Sequence, residues 1–297
     1  MLDRYVQGEV KRLSPEAPIP ILSEKYTNMT TGGAANVARN LAQLGANVSL
    51  IGLVGCDNAG HELTRAIAEV PQILFAPILC SDRPTTVKTR YLASGQQMLR
   101  VDSEVTARLT SDESAKLLEQ AKIMMANCEI LILSDYAKGC LSPDITSQLI
   151  QSAHQENLKV IIDPKSVDFR DYRGADVLTP NLAELKKATG IIEESLEAIE
   201  AAARQILKTC RINQILVTLS ARGMLLISEE DAHHIPALPC EVFDVSGAGD
   251  TVIALLAAGL LIGLDKVEAA EIANIGASLV VAKSGTACLF PGSVSQS

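Results

Sequence analysis

The regular alternation of helix and strand patterns after residue 110 constrains the fold of this chain more than any other sequence feature. In this part of the chain, stretches with helical spacing alternate with short apolar runs of strand length. The predicted helices cover residues 111–127, 142–156, 182–189 and 196–208, and the predicted strands cover 129–133, 159–162, 176–178 and 214–218. This alternation is typical of a parallel sheet with helices on both faces. We therefore predict an α/β protein with a mostly parallel, doubly covered sheet.

The first hundred residues follow a different pattern, which predicts strands outside the helix–strand alternation. Polar and apolar residues alternate over residues 4–29 and 84–102, and Ser94-Gly95 is a turn signal inside the second segment. The prolines of the first segment predict short, irregular strands that are confined to a sheet edge. Between the two segments, residues 34–44 have helical spacing and residues 48–54 form a buried-type strand.

Basic side chains recur on the second of these segments. Lys88 and Arg90 are two residues apart and therefore share one face of a strand, and Arg100 and Asp102 share a face of the partner strand. A face of this kind can hold an anion, but a plain solvated face explains the same pattern. The sequence alone leaves both interpretations open.

Composition limits the classes of partner and compartment. The chain has 297 residues, 47% of them apolar, which is enough for one large α/β domain. A net charge of −9 disfavours nucleic acid or an anionic membrane as a partner. Seven cysteines without any C-x-x-C spacing, and no cleavable leader after Met1, favour a reduced, cytoplasmic protein. The histidines lack zinc spacing, so we expect no transition-metal site.

Polar residues follow the predicted strands at the points where those strands end. They are Ser134-Asp135-Tyr136 with Lys138, Asp163-Pro164-Lys165, Thr179-Pro180-Asn181 with Glu184, and Thr218 with Ser220. Ligands of open α/β sheets bind beyond the carboxyl ends of the strands, so this rim is the predicted site. Asn181 and Glu184 are three residues apart at a helix start, which suits either a shared ligand or a capping box.

A turn of small residues opens the apolar helix that begins near Val252. Gly247, Ala248 and Gly249 leave N–H groups free at the positive end of the helix dipole, which makes an anion site. Asp250 lies in the same turn, where it suits a general base beside a transferring phosphoryl group. An ordinary helix-start acid in a glycine turn is the alternative. The chain has no Gly-Lys pair for a Walker loop, and the third glycine of a dinucleotide fingerprint is missing.

Two separated signatures resemble those of the ribokinase-like (PfkB) carbohydrate kinases. The first is Gly32-Gly33-Ala34-Ala35-Asn36-Val37-Ala38, and the second is Asp244-Val245-Ser246-Gly247-Ala248-Gly249-Asp250. Within that family, stretches such as Ser134-Asp135-Tyr136-Ala137-Lys138-Gly139 are similar to the kinases of D-glycero-β-D-manno-heptose 7-phosphate. The resemblance implies a ribokinase-like fold with a small β lid. It also implies ATP-dependent phosphorylation of the anomeric hydroxyl of that sugar, in the synthesis of ADP-heptose for lipopolysaccharide.

The resemblance implies roles for individual residues. Asp250 would be the catalytic base, with Gly247, Ala248 and Gly249 as the anion hole. The residues that would contact the nucleotide are Asn181, Leu182, Ala183, Glu184, Thr218, Ser220, Arg222, Gly223 and Asn274. Those that would contact the sugar phosphate are Asp3, Gly32, Gly33, Asn36, Lys88, Arg90 and Arg100. Glu184 would hold Mg²⁺, directly or through a water, and Asp244 with residues 284–286 would hold a monovalent cation such as K⁺.

The resemblance also carries expectations about the domain and its partners. Residues 1–291 are predicted to form one kinase domain, and residues 292–297 a frayed tail. A homodimer through the lid is expected, and a cytidylyltransferase would act later in the pathway, on a separate chain or in a further domain. Two alternatives remain: another sugar or nucleoside kinase, or a folded but inactive sugar-binding protein.

The start of the chain departs from the family pattern. The family has a central strand before the stretch that matches Met1-Leu2-Asp3-Arg4-Tyr5, and that strand is missing from this sequence. We expect either that Met1 is internal to a longer protein or that the chain is a truncated product. The chain alone should be marginally stable or should accept another segment in the gap, because unpaired backbone groups in a buried sheet are costly.

Overall fold

The computed structural model describes residues 1–282, which contain twelve strands and eight helices. The strands are β1 (Leu2–Leu13), β2 (Pro20–Thr31), β3 (Val48–Gly55), β4 (Ile73–Cys80), β5 (Val87–Ala93), β6 (Gln96–Ser103), β7 (Ile130–Ser134), β8 (Lys159–Asp163), β9 (Val177–Leu178), β10 (Gln214–Thr218), β11 (Met224–Ser228) and β12 (Ala232–Ile235). The helices are α1 (Ala34–Gln43), α2 (Asn58–Ala68), α3 (Ser111–Met125), α4 (Pro143–Gln155), α5 (Leu182–Thr189), α6 (Leu196–Cys210), α7 (Ala248–Leu261) and α8 (Lys266–Val281). Within this range, no helix combines the length and apolarity needed to cross a bilayer. The predicted tail at 292–297 and the predicted cation loop at 284–286 lie outside the described residues.

The main sheet has six strands in the order β12-β11-β10-β9-β8-β7. Strands β7 to β10 are parallel, and β11 and β12 extend the sheet as an antiparallel hairpin. Alternate residues of β8 pack into opposite cores: Val160 and Ile162 face the cluster that includes α4 and α6, and Ile161 faces the one that includes α7 and α8. The predicted mostly parallel sheet with helices on both faces is confirmed.

A separate sheet of four strands, in the order β2-β1-β5-β6, forms the lid. The prediction of short strands confined to a sheet edge was wrong, because β1 and β2 are each twelve residues long and β1 lies between β2 and β5. The predicted irregularity is confirmed, since the register of β1 with β2 shifts after Gln7 and again after Val10. The prolines do not break them, since Pro15 and Pro18 lie in the connection and Pro20 begins β2, which is an edge strand. Strands β5 and β6 form the predicted hairpin around Ser94-Gly95.

The remaining two strands, β3 and β4, pair with each other in parallel and form a sheet of their own. No ladder joins β3 to the six-stranded sheet, whose last strand on this side is β7. A cavity of ≈ 680 Å³ is lined by residues of both β3 and β7. Strands β3 and β4 and strands β7 to β10 therefore belong to two separate parallel sheets, and both sheets contribute residues to the lining of this cavity.

Candidate active site

Asp250 lies in the first turn of α7. The residue before this helix, Gly247, has a φ of 83°, a left-handed conformation that glycine adopts without strain. No side chain caps the helix. Ala248 N donates to the Val245 carbonyl at 3.3 Å, and the N–H groups of Gly249 and Asp250 are left to meet an anion at the positive end of the helix dipole. At Gly249, a Cβ would meet no atom within 4 Å, which leaves room for a ligand. The turn thus combines an anion site with an adjacent carboxylate.

Two side chains from distant parts of the chain hold the Asp250 carboxylate. Asn36 Nδ2 donates a hydrogen bond to Oδ2 at 2.8 Å, and Tyr136 Oη donates to Oδ1 at 2.7 Å. Asn36 is fully buried in α1, three residues after Gly33, the residue that begins this helix. Each carboxylate oxygen of Asp250 accepts one hydrogen bond, and together these bonds fix the orientation of the carboxylate. Each oxygen keeps a lone pair that can accept a proton from the substrate.

Burial shifts the pKa values of two carboxyl groups at this site, those of Asp250 and Asp163. It raises the pKa of the Asp250 carboxyl group, and the hydrogen bonds from Asn36 and Tyr136 counteract part of that increase. The charge of Asp3 raises the pKa further, which places a second carboxylate close to the first. Burial also raises the pKa of Asp163 well above its usual value, and the charges of Asp250 and Glu184 add to this effect. Burial is thus the main cause of both shifts, and neighbouring carboxylates add to it.

The lid sheet contributes a buried ion pair to the same place. Arg90 Nη1 donates to Asp3 Oδ1 at 2.7 Å, and the two residues are 7% and 5% exposed. The guanidinium carbon also lies 5.1 Å from the centre of the Tyr5 ring. Gly32 permits this packing, because a Cβ at that position would overlap the Asp3 carboxylate. The structure thus brings Asp3, Gly32 and Arg90 together, with Arg90 already paired.

The other two predicted lid cations surround one carboxylate. Lys88 and Asp102 are direct partners across β5 and β6, as are Arg90 and Arg100. Arg100 makes two hydrogen bonds to Asp102, at 2.9 and 3.0 Å, and Lys88 Nζ lies 3.4 Å from the same carboxylate. Three cations and one acid therefore share a face of this hairpin. Lys88 and Arg100 bind no buried partner, so their side chains are available to an incoming anion.

On the nucleotide side, Asn181 and Glu184 form a capping box at the start of α5. The Asn181 side chain accepts from Glu184 N and the Glu184 side chain accepts from Asn181 N, both at 2.9 Å. The second Glu184 oxygen accepts from Lys165 Nζ at 2.8 Å. Asn181 also pairs with Thr218 at the end of β10, so the ends of neighbouring strands meet here. Leu182 and the exposed Ala183 complete the first turn of α5.

The loop after β10 holds the remaining predicted nucleotide contacts. Residues Ser220–Arg222 form a short 3₁₀ helix that ends at Gly223, and Leu219 N donates to the Gly223 carbonyl at 2.8 Å. Asn274 of α8 is 6% exposed and donates to the Pro236 carbonyl at 2.8 Å. The Asn274 amide thus supports the segment that packs against Gly223, and Arg222 is anchored to the Glu194 carbonyl.

The carboxylates near Asp250 suit Mg²⁺, which does not require a full set of protein ligands. Within residues 1–282, no three His, Cys, Asp or Glu side chains are grouped as a metal site. Mg²⁺ commonly uses one or two carboxylates together with waters and substrate phosphates. Asp163 and Glu184 supply such carboxylates. Burial, followed by the charges of Asp250 and Glu184, raises the pKa of Asp163, and a bound cation would favour its charged form. At the predicted monovalent site, Asp244 Oδ1 accepts from Ser246 N at 2.8 Å.

Three residues of the predicted polar rim were given no individual role by the sequence. Tyr136 contacts the base directly, and Asp163 and Lys165 lie between the base and the nucleotide side. All three stand in the polar stretches that follow β7 and β8. Their position at the carboxyl end of a parallel strand predicted that they belong to the rim, whereas their contacts depend on the tertiary structure.

Comparisons with known proteins agree with this geometry. Residues 3–291 match the description "pfkB family carbohydrate kinase". The chain is 45% identical to the "Bifunctional protein HldE" of Paramagnetospirillum magneticum over 291 residues, which is 98% of this chain and 60% of that protein. HldE of Acidiphilium cryptum has the same identity and coverage. The chain thus spans about 60% of the length of these curated relatives.

Solved structures share the fold. The phosphofructokinase-2 of Escherichia coli in complex with substrates and products superposes with a TM-score of 0.81 at 22% identity, over 97% of this chain and 92% of that one. The Arabidopsis thaliana ribokinase complexed with ribose and ATP gives 0.74 at 24% identity, over 96% and 90%. The fold is therefore ribokinase-like. Together with the match over residues 3–291, this shows that the chain belongs to the pfkB family of carbohydrate kinases.

Proposed function

We propose that this chain transfers the γ-phosphoryl group of ATP to the anomeric hydroxyl of D-glycero-β-D-manno-heptose 7-phosphate. The observation that carries the proposal is the Asp250 carboxylate, held by Asn36 and Tyr136 beside the free N–H groups of α7. The sugar specificity is supported by the resemblance to heptose 7-phosphate kinases. It is also supported by the cations of the lid hairpin, because a substrate phosphate needs a charged donor.

Asp250, the N–H groups at the start of α7 and Asp3 have different roles in the proposed reaction. Asp250 accepts the proton of the attacking hydroxyl as the new O–P bond forms and the bond between the γ-phosphorus and the bridging oxygen of ATP breaks, which releases ADP. The N–H groups at the start of α7, around Gly247 and Gly249, stabilise the charge that develops on the transferring group. Asp3, held by Arg90, offers a carboxylate oxygen to a sugar hydroxyl and so orients the ring.

The nucleotide side supplies positioning and charge balance. The starts of α5 and of the loop at Ser220–Gly223 form the surface for ATP. Mg²⁺, when bound, neutralises phosphate charge, and Asp163 and Glu184 would hold it, in part through waters. Closure of the lid would exclude water, which competes with the sugar as phosphoryl acceptor. K⁺ near Asp244 is part of the proposal.

The wider setting of the reaction is also proposed. The bisphosphate product would lose its 7-phosphate, and a nucleotidyltransferase domain of the cytidylyltransferase type would act later in the pathway, on the way to ADP-heptose, in the cytoplasm. A homodimer through the lid is supported by exposed apolar side chains on β6, including Met98, Leu99 and Val101. Light scattering at several protein concentrations tests this dimer.

A substrate panel tests the function directly. ADP release is measured with heptose 7-phosphate, unphosphorylated heptose, fructose 6-phosphate, ribose and a nucleoside, with Asp250→Asn as the control for contaminating kinases. The proposal expects kcat/KM for heptose 7-phosphate to exceed the values for unphosphorylated heptose, ribose and the nucleoside by at least about 100-fold, since a charge-assisted phosphate contact contributes roughly that factor. It also expects the value for heptose 7-phosphate to exceed that for fructose 6-phosphate, which carries a phosphate on a different sugar. A preference for an unphosphorylated sugar indicates another kinase of the family. No turnover of any sugar, with binding retained, indicates an inactive sugar-binding protein.

A further inference from the structure

A groove of ≈ 770 Å³ lies on the surface of the protein, away from the site described above. We call it the arginine groove, and it is lined by Arg173, Gly174, Arg211 and one face of α4 from Ser147 to Gln155. The α4 residues of this face recur every three to four positions, as one side of a helix requires. Arg173 and Gly174 precede β9, and Arg211 follows α6 and precedes β10. The arginine groove therefore lies at the amino ends of these strands.

The arginine groove and the proposed base lie at opposite edges of the main sheet. Asp163 ends β8 and Thr218 ends β10, so the candidate active site is at the carboxyl ends of the strands. Strands β8 to β10 are parallel and run from the arginine groove towards that site. The five residues of β10 span about 17 Å. A molecule in the arginine groove is therefore too far away to touch the reacting groups.

Backbone contacts hold the two arginines of the groove side by side. Gly174 N donates to the carbonyl of Cys210, the residue before Arg211, at 3.1 Å. Arg173 Nη1 donates to the Thr209 carbonyl at 3.5 Å, the long end of the hydrogen-bond range. Within residues 1–282, neither guanidinium pairs with a carboxylate. Both therefore have N–H donors for a bound anion.

The backbone at Arg211 is left-handed, with a φ of 53°. Glycine is the usual residue at this position after a helix, because a Cβ makes the conformation unfavourable. The arginine thus strains the chain at the end of α6 and places a guanidinium on the groove. Gly174 keeps the groove open, since a Cβ there would lie 3.6 Å from the Ile150 side chain and 3.9 Å from that of His154.

Two acidic groups near the arginine groove are engaged by other partners. Asp176 lies 3.7 Å from His154 Nε2, but its two oxygens accept hydrogen bonds from a backbone N–H and from Asn213 Nδ2, each at 2.8 Å. Asp168 pairs with Arg170. None of the residues that line the groove is acidic. The lining is therefore positive on a chain whose net charge is −9, and it attracts anions.

The lining suits a phosphate that carries a polar body. Guanidinium groups bind phosphate through parallel N–H donors, so two arginines can share the dianion of a phosphate monoester. Ser147, Gln151 and Gln155 add a hydroxyl and two amides to the same groove. Its volume of ≈ 770 Å³ is much larger than a phosphate ion needs and lies in the range of small-molecule sites.

We propose that the arginine groove binds an organic phosphate, namely a phosphate monoester of a sugar or a nucleoside. Arg173 and Arg211 hold the phosphate, and the amides of Gln151 and Gln155 contact the attached polar body. His154 lies beside the phosphate. The site is separate from the proposed reaction, and neither its occupancy nor its test depends on that reaction.

His154 gives a site-specific test of binding. The chain has four histidines, so isotope-labelled histidine gives a simple NMR spectrum, in which His154→Gln identifies the His154 signal. At fixed pH and ionic strength, inorganic phosphate should shift this signal along a saturation curve. Ribose 5-phosphate and AMP distinguish a sugar body from a nucleoside body, and at least one of them should bind as tightly as inorganic phosphate or more tightly. No saturable shift of His154, or weaker binding of both organic phosphates, overturns the proposal.

Two variants distinguish a phosphate held by arginine from general attraction to positive charge. Arg211→Gly removes the guanidinium and leaves the residue that suits a φ of 53°, so the fold is retained. Its Kd for the tighter of the two organic phosphates should rise by roughly 10- to 150-fold, the loss of one charge-assisted contact.

Arg170→Gln is the matched control for Arg211→Gly. Arg170 carries the same charge three positions before Arg173, pairs with Asp168 and does not line the groove. Its replacement should change the Kd by less than about twofold, since salt screens an exposed charge that makes no contact. An unchanged Kd in Arg211→Gly overturns the proposal. Equal losses in the two variants also overturn it, because the anion would then respond only to net charge.

Discussion

Tyr136 Oη lies 2.7 Å from Asp250 Oδ1, and this hydrogen bond joins residues 114 positions apart in the chain. The tyrosine leaves β7 and reaches the first turn of α7, so the bond connects the end of the main sheet to the proposed base. Burial raises the pKa of the Tyr136 hydroxyl well above its usual value, so the tyrosine stays protonated and can only donate to the carboxylate. Because that donation stabilises the charged form of Asp250, it sets the pH at which the base becomes available.

Replacement of the base tests the assignment of Asp250. Asp250→Asn keeps the size of the side chain and removes its ability to accept a proton. We expect kcat to fall by about 10²–10⁴-fold, with little change in ATP binding, since only the transition-state contribution is lost. Single-turnover kinetics and nucleotide titration measure the two quantities separately. Turnover near the wild-type rate would show that another group is the base.

Tyr136→Phe tests the hydrogen bond to the base. Without this donor the pKa of Asp250 should increase, and a general base works only when deprotonated. The acid limb of the kcat/KM profile should therefore move to higher pH, with the loss of activity greatest at low pH. Tyr172→Phe is the matched control, because Tyr172 makes a similar bond, of 2.6 Å, to Asp135 and none to Asp250. Identical pH profiles for wild type and Tyr136→Phe would contradict a positioning role.

The lid cations should separate into two classes. Lys88→Ala or Arg100→Ala should raise KM for heptose 7-phosphate by roughly 10- to 150-fold and leave unphosphorylated heptose almost unchanged. Arg90→Ala should impair both sugars, because it leaves Asp3 without its buried partner. Steady-state kinetics with the two sugars measure this difference. Equal losses on both sugars in all three variants would favour a purely structural role for the lid face.

Asp163 should make the protein less stable as pH rises. Its folded-state pKa lies above the usual 3.8, so between these values the folded state binds more protons than the unfolded state. Stability attributable to this group therefore decreases with increasing pH. Asp163→Asn removes the effect, so its Tm advantage over wild type should grow as the pH rises above the usual value of 3.8.

A control variant and a Mg²⁺ titration give two further tests of the effect predicted for Asp163. Asp112→Asn removes a carboxylate from an exposed position of α3 and should show no such trend. At pH 8, Mg²⁺ should raise the Tm of wild type more than that of Asp163→Asn, because the cation offsets the same negative charge. A Tm difference that stays constant with pH would mean that Asp163 is neutralised by another group.

Local sequence was sufficient for features that depend on neighbouring residues. The small-residue turn before Asp250 predicts a free helix start. The three-residue spacing of Asn181 and Glu184 suits either a shared ligand or a capping box, and the structure shows the capping box. Alternation along β5 and β6 predicts that Lys88 and Arg90 share a face. These features follow from helix and strand periodicity, which the sequence states directly. The positions of the polar rim residues follow from the same periodicity, since each lies where a strand ends.

Tertiary structure alone decided which of those residues meet. Asn36 and Asp250 are 214 positions apart, and Asp3 and Arg90 are 87 apart. Their contacts depend on how α1 packs against α7 and on the register of β1 with β5, which no local pattern contains. The separation of β3 from β7 is likewise a property of packing, because a strand edge becomes free only when its neighbour in space is absent. Sequence thus determined the chemistry offered by each element, and packing determined which groups act on the same atoms.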